Sequence, residues 1–363
     1  MKLRFNRDDA LAALQPIQGI LGAKSMLPVL ANVLIEVQEG SCRAVGSDLE
    51  LWISSRFPAQ VEAVGTVSLP GKRLFGIIRE APDEEILLEG EEGSSRLTSG
   101  RANFKMLAVP PSEFPASPRL GDTEQLDVPQ AEFRRLLRQT SYAISQDQSR
   151  YILNGLYLSF REGVLTAAAT DGKRLATAET ELKMPSGFDR EIVITVKTVN
   201  ELQRVLGEEG DVSVRVGEKQ VSFETEDILL VSRLIDGRYP DFRQVIPSET
   251  REKITLPREE FSRVIRRGAL LTSDKSNSVR FSFAPGQLTV TSVTPEVGES
   301  REEMTLEYQG EGMEIAFNPG YLLEVLRALE NREEVTLELI DENSPGVFRD
   351  DRFFCLVMPM KLS

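Results

Sequence analysis

Three aspartates stand where chemistry would first be sought. Asp48 in "GSDLEL", Asp171 in "TDGKRLA" and Asp241 in "RYPDFRQ" occupy the most motif-like stretches of the 363-residue chain. Carboxylates of this kind can hold magnesium for chemistry on nucleic acid. Each also adjoins a Gly, Ser, Thr or Pro, the setting in which Asp caps a turn. The rest of the catalytic repertoire is thin. The sequence has no histidine, which removes the commonest general base and metal ligand. Cys pairs at metal spacing, G-x-S-x-G, a P-loop and G-x-G-x-x-G are all missing. Other carboxylates crowd surface-like runs such as "PDEEILLEGEEG" (82–93). No catalytic residue, metal or cofactor is expected, and turn-capping is the preferred reading of the three aspartates.

The elements around them repeat. "LRFNRDDALAAL" (3–14), "LDVPQAEFRRLL" (126–137) and "ITLPREEFSRVI" (254–265) each run from a short strand through a polar or Pro-led break into a helix with an acid in its first turn. Leu3 to Leu126 is 123 residues and Leu126 to Ile254 is 128. A second set, "VSLPGKRLFGIIRE" (67–80), "IVITVKTVNELQRVL" (192–206) and "MEIAFNPGYLLEVLRAL" (313–329), falls midway. Three similar domains follow, 1–122, 123–250 and 251–363, each a duplicated unit of roughly 60 residues with one helix and several strands. Strands such as "GLYLSF", "LTAAAT" and "VSVRVG" alternate, which predicts antiparallel sheets with one buried face and an α+β class. "FKMLAVPPSEFPASP" (104–118) and "LLVSRLIDGRYPDFRQVIP" (229–247) each read as a final strand and an aromatic-Pro linker, placing linkers near 119–125 and 248–253. Such a period favours a ring or solenoid over an enzyme built on one asymmetric cleft.

Charge is distributed unevenly over this plan. The chain carries −14 overall, yet "AEFRRLLRQTSYA" (131–143) sets Arg134, Arg135 and Arg138 around a stripe of Phe133, Leu136, Leu137 and Tyr142. In chain order the six helical segments carry −2, +2, +2, +1, +2 and 0, or +5 together, leaving −19 elsewhere. If the helices line one surface, its candidates are Lys24, Lys72, Arg73, Arg79, Arg134, Arg135, Arg138, Lys197, Arg204, Arg263, Arg266, Arg267 and Arg327. That surface suits a phosphate backbone, while the acidic remainder repels nucleic acid. No exposed aromatics interleave with the arginines, so contact without base reading is expected. The alternative, good helix formers that simply pair with Glu, stays open. Cys42 and Cys355, 313 residues apart in apolar surroundings, read as buried free thiols in a reducing cytosol, with a disulfide as the alternative. No apolar run reaches the roughly 20 residues that span a bilayer, and the N-terminal stretch lacks the layout of a secretory signal. A cytoplasmic protein is expected.

The stretches "LPVLANVLIEV" (27–37), "GSDLEL" (46–51), "YILNGLYLSF" (151–160), "TDGKRLA" (170–176), "LIDGRYPDFRQVIP" (234–247), "MEIAFNPGYLLEVL" (313–326) and "LVMPMKL" (356–362) resemble, in order and nearly end to end, the bacterial sliding clamp, the beta subunit of DNA polymerase III. The resemblance implies a head-to-tail homodimer closed into a ring, with twelve helices lining the hole and sheets outside. Duplex DNA would pass through unread, and the protein would act as a processivity factor without enzymatic activity. The implied partners are double-stranded DNA, a second copy, replicative and repair polymerases, the clamp loader and other proteins bearing the clamp-binding motif.

Carried over by motif, a peptide pocket would use Leu153, Thr170, Gly172, Lys173, Arg174 and Leu175, then Pro240 and Val245, Asn318 and Tyr321, and Val357, Met358, Pro359 and Met360. Leu, Val, Pro and Met in such a tail form an adaptable apolar groove. Filling it with two large side chains contributes roughly 3 to 6 kcal/mol, against about 8 kcal/mol for micromolar binding, so partners should exchange readily. The dimer seam would set Phe104 and Met106 against Leu270 and Leu271, with Arg101 and Lys105 facing Glu296, Glu299, Glu302 and Glu303. Lys173, Gln244, Ile152, Lys361 and Ser363 depart from the family pattern, which bears on the preferred peptide. Two rivals remain: a metal-dependent enzyme using the aspartates, and a repeat-built scaffold without nucleic acid.

Overall fold

A computed structural model of the protein describes residues 1–22, 27–91, 93–118, 120–121, 123–185, 187–273, 277–295 and 297–361. Among the described residues six α-helices occupy the segments that periodicity predicts: α1 (Arg7–Gln18), α2 (Gly71–Arg79), α3 (Gln130–Thr140), α4 (Val196–Val205), α5 (Arg258–Gly268) and α6 (Pro319–Ala328). Their ends are shorter than expected, because Ser141–Ala143 and Ala269–Leu271 tighten into single 3-10 turns after α3 and α5. Asn6 starts α1 by accepting from Asp8 N and Asp9 N, with both aspartates favourably placed in the first turn. Pro257 closes a strand and serves as the N-cap of α5 rather than its first residue. None of the helices among the described residues is long and apolar enough to cross a membrane.

Two compact units form, and they do not follow the sequence repeats. The first gathers Met1–Arg134 and Lys197–Leu234. It holds a five-stranded sheet in the order Gln60–Ala63, Lys2–Asn6, Glu85–Glu91, Ser94–Ser99, Ala102–Leu107. Its other sheet has eight strands, Gln125–Pro129, Asp211–Val216, Gln220–Glu224, Ile228–Arg233, Leu51–Pro58, Ser41–Ser47, Asn32–Gln38 and Gly65–Pro70. The joint between repeats is one antiparallel ladder, Leu230 opposite Ile53 and Ile228 opposite Ser55.

The second unit, Arg135–Val196 with Ile235–Ser363, repeats the device. Its eight-stranded sheet runs Arg190–Thr195, Gly155–Arg161, Val164–Thr170, Arg174–Glu181, Phe353–Val357, Gly346–Asp350, Glu334–Leu339, Glu252–Pro257. Here the joint sets Arg174 opposite Val357 and Ala178 opposite Phe353. A four-stranded sheet follows, Gly298–Thr305, Gln287–Thr294, Val279–Ala284 and Met313–Phe317. Every strand pairing among the described residues is antiparallel, and the middle repeat gives four strands to each eight-stranded sheet.

Burial corrects one expectation. Asp211–Val216 alternates as predicted, but "GLYLSF" and "LTAAAT" are buried on both faces, Tyr157, Ala168 and Ser159 included. The reason is the stretch after Leu234: Ile235, Tyr239 and Phe242 fold back across this sheet and cover its second face. Cys42 and Cys355 are free and buried, and burial pushes each thiol up to about 12.

Candidate functional site

The turn from Thr170 to Arg174 links two buried strands and is held by its own side chains. Asp171 Oδ1 accepts from Lys173 N at 2.8 Å and Arg174 N at 3.0 Å. Thr170 Oγ1 donates to Arg174 O at 2.6 Å and accepts from Gly172 N at 3.1 Å. Gly172 sits at φ +85°, a region that a side chain makes costly.

This turn aims Arg174 inward. Its Nε donates to Asp171 Oδ2 at 3.1 Å, its Nη2 to Tyr142 O at 2.5 Å, and its Nη1 to Glu324. The guanidinium also lies 4.3 Å from the Tyr321 ring centre and 5.5 Å from that of Tyr142. Burial alone would lower its pKa, but Glu324 and Asp171 outweigh that and raise it. With a side chain only 9% exposed, Arg174 is a post tying α6, the turn and the end of α3 together, not a charge offered to solvent.

An aromatic layer lies beside the post. Tyr239 Oη accepts from Thr170 N at 3.1 Å, while its ring stacks on Tyr157 (5.1 Å, 26°). Tyr157 meets Phe242 edge-on at 5.8 Å. These rings join Leu153, Leu175, Phe354 and Leu356 in one apolar cluster, with Ile152 and Ile246 at its margin. The C-terminal tail is pinned next to it: Met358 N donates to Lys173 O at 2.8 Å and Met360 N to Ala316 O at 2.7 Å. Asn318 caps α6 by accepting from Gly320 N at 2.9 Å.

The second unit thus brings the predicted pocket residues together, in two roles. Leu153, Leu175, Val357 and Arg174 are buried. Thr170, Asn318, Tyr321 and Pro359 are half-buried, while Gly172, Lys173, Pro240, Val245, Met358 and Met360 are exposed. Val245, at 57% exposure, is the most open of the apolar ones. Sequence reasoning missed Tyr142, Tyr239, Phe242 and Glu324, which position the others; the aromatic-Pro run "RYPDF" was the available signal for two of them. It also passed over Tyr151, an exposed ring beside Ile152. Gln244 is tied to Asp241 by a 3.1 Å hydrogen bond.

The three aspartates cap turns. Asp48 accepts from Glu50 N and Leu51 N at 3.1 and 2.8 Å, and Asp241 from Arg243 N at 3.3 Å. Among the described residues no three His, Cys, Asp or Glu side chains gather as a metal site. A cavity of about 500 Å³ beside Arg161, Met184, Phe188 and Asp189 contains none of the predicted residues.

The basic helix residues fall into two groups. Arg134 pairs with Glu208, Arg138 with Glu330 at 2.6 Å, and Lys197 with Asp48 at 2.8 Å and Glu50 at 3.2 Å. Arg204 pairs with Glu201 at 2.8 Å, Arg263 with Glu259 at 3.8 Å, Arg267 with Glu302 at 2.6 Å and Arg79 with Glu80 at 3.1 Å. Arg135 donates to Gln139 Oε1 and Glu179 O, both at 2.7 Å. Lys72, Arg73, Arg266 and Arg327 are exposed and have no ion pair among the described residues. Lys24 lies outside the described residues. Seven of the candidates thus have an acidic partner.

Most residues expected at the seam lie on or next to two sheet edges, with Leu270 and Leu271 in the 3-10 turn after α5. Ala102–Leu107 is an edge of the five-stranded sheet and Gly298–Thr305 an edge of the four-stranded one. On the first, Met106 is buried and Phe104 half-buried, so the pleat presents Asn103, Lys105 and Leu107 outward instead. Leu107 is 78% exposed and Leu270 77%, while Leu271 is half-buried. Arg101 and Glu299 are exposed, but Glu302 is engaged by Arg267 and Glu303 by Arg301. Glu296 and Ser363 lie outside the described residues.

Among the described residues, six halves of one helix with four or five strands, joined by antiparallel sheets shared across repeats, define the class of DNA clamp folds. The N-terminal, central and C-terminal domain profiles of the DNA polymerase III beta subunit match residues 1–118, 127–241 and 243–361. The chain is 33% identical over 364 residues to the beta sliding clamp of Chlamydia pneumoniae, covering 100% of this chain and 99% of that one. To the beta sliding clamp of Vibrio cholerae it is 32% identical over 373 residues, with both chains fully covered. The crystal structure of the Pseudomonas aeruginosa DNA polymerase III subunit beta superimposes with TM-score 0.95 at 31% identity over all of both chains. A P. aeruginosa sliding clamp bound to griselimycin superimposes at 0.96 and 30% identity, again over both whole chains. The chain belongs to the DNA polymerase III beta subunit family.

Proposed function

We propose that the protein is the processivity clamp of DNA replication, a non-catalytic cytoplasmic ring that encircles duplex DNA without reading it and tethers polymerases. The observation that carries the reading is the apolar cluster of the second unit with the C-terminal tail pinned beside it, in a chain that matches beta clamps from end to end. Val245, Met358 and Met360 are exposed, while Leu153, Leu175 and Val357 are buried. Exposed methionine and valine suit a short peptide with two apolar anchors, presented by polymerases, the clamp loader and other partners. The pocket is assigned Leu153, Thr170, Gly172, Lys173, Arg174, Leu175, Pro240, Val245, Asn318, Tyr321 and Val357–Met360.

Two copies close head to tail by joining the edge Ala102–Leu107 of one to Gly298–Thr305 of the other, with Leu107 and Leu270 as apolar contacts and Arg101 and Lys105 against Glu299. Three domains, 1–122, 123–250 and 251–363, then supply the basic helices that face DNA. Sedimentation tests the assembly: a species of twice 40.5 kDa is expected, and Leu107→Asp should shift it to monomer. A strict monomer at every concentration would overturn the reading.

A further inference from the structure

We infer that carboxylates of this chain compete with DNA for the cations of the basic helices, so that phosphate contact proceeds by exchange rather than by simple addition. The inference rests on the proposal that these helices face duplex DNA. It concerns what sets the strength of that contact.

The pairing is tertiary, not a by-product of helical spacing. Glu208 is 74 residues from Arg134, Glu330 is 192 from Arg138, and Asp48 is 149 from Lys197. For these cations a separate element supplies the acid, whereas Arg79, Arg204 and Arg263 meet a Glu within four residues. The first two pairs are open to solvent: Arg138 and Glu330 expose 44% and 47% of their side chains, and Arg134 and Glu208 expose 43% and 76%. Exposed pairs of this kind are weak, so a phosphate can displace the carboxylate. The displaced carboxylate stays beside the phosphate and repels it. Lys72, Arg73 and Arg266, which have no ion pair among the described residues, are ready for immediate contact.

A surface built this way attracts DNA while discouraging any long-lived contact, which suits a ring that must keep moving. It also explains how a −14 chain can commit so many arginines to its helices. Six of them already lie within ion-pair distance of a carboxylate.

The test inverts the usual sign of a charge-pair mutation. Glu208→Gln and Glu330→Gln, one in each compact unit, are compared with wild type for equilibrium binding to a short linear duplex at low salt. Each should tighten binding about two- to five-fold, and the gain should fade as salt is raised. Glu181→Gln, which frees Arg352 in the turn before Phe353–Val357 (2.5 Å pair), removes the same formal charge from a pair that contains no helix residue and should leave binding unchanged. Circular dichroism and sedimentation confirm that each variant is folded and dimeric; if one is not, the other carries the test. Unchanged or weakened binding in the folded Gln variants overturns the inference, as does equal tightening by Glu181→Gln. Failure of wild type to stay on circular DNA would instead overturn the clamp reading, which the linear duplex does not probe.

Discussion

Replacing Arg174 by lysine keeps the positive charge and removes the planar fork. Lysine can satisfy one of the three acceptors that Arg174 reaches, leaving two of Asp171 Oδ2, Tyr142 O and Glu324 without their donor. Hydrogen bonds to charged groups contribute roughly 1.5 to 3 kcal/mol each. Glu324 is 40% exposed, so water recovers part of its loss, whereas Asp171 and the Tyr142 carbonyl are more enclosed. Stacking on Tyr321 at 4.3 Å adds up to about 1 kcal/mol. The expected loss is about 3 kcal/mol, or roughly 6 to 12 °C in melting temperature. Because Asp171 and Lys173 also hold the turn against Met358, peptide affinity should fall about tenfold, equivalent to about 1.4 kcal/mol. Differential scanning calorimetry and fluorescence polarisation with a labelled clamp-binding peptide measure the two quantities. An unchanged melting temperature would refute the reasoning. Lost affinity with full stability would make Arg174 a direct peptide contact rather than a post.

Other expectations follow from the same geometry. Glu338 accepts from Arg349 Nε, Lys253 Nζ and Thr250 Oγ1 at 3.1, 3.3 and 3.1 Å; burial would raise its pKa, but these donors outweigh it and hold it below the ordinary 4.5. Its ionised form therefore stabilises the fold above the unfolded value, and that gain is lost as pH falls through the lower folded value. Glu338→Gln should cost about 1 to 3 kcal/mol near neutrality, with the gap to wild type closing in acid melts. Glu201 behaves oppositely, since burial raises its pKa despite Arg204 and its Oε2 lacks a partner among the described residues. Its stabilising protonated form is lost as pH rises through the folded value, so Glu201→Gln should raise stability at pH 7 by about 1 kcal/mol and gain nothing in acid. Gly76→Ala, inside α2 with open space around it, should stabilise by roughly 0.5 to 1 kcal/mol, whereas Gly172→Ala should cost about 1 to 2 kcal/mol for its positive φ; chemical denaturation separates the two.

Helix positions were legible in the sequence because each is short, amphipathic and preceded by a strand with a recognisable break. Repeat spacing exposed the duplicated plan for the same reason. Strand partners were not legible: nothing local in "ILLVSR" or "RLATAETE" announces that they pair with Leu51–Pro58 and Phe353–Val357, since ladders are formed by backbone groups that every residue shares. Double burial of "LTAAAT" was hidden because the cover, Tyr239 and Phe242, lies about 70 residues further on. At the site, motifs located the turn and tail but could not distinguish buried side chains from exposed ones. Arg174 and Lys173 are neighbours in sequence, yet one is buried by four groups and the other is exposed. Met106 and Leu107 differ by one step of the pleat, which reverses their faces.

Retention on circular DNA tests the central claim most directly. The protein is incubated with nicked circular duplex, a bacterial clamp loader and ATP, and then filtered at a salt concentration that dissolves ordinary phosphate contacts. The account predicts that it co-elutes with the circle and is released by a single restriction cut. Equal release from circular and linear DNA, or equal retention on both, would contradict it.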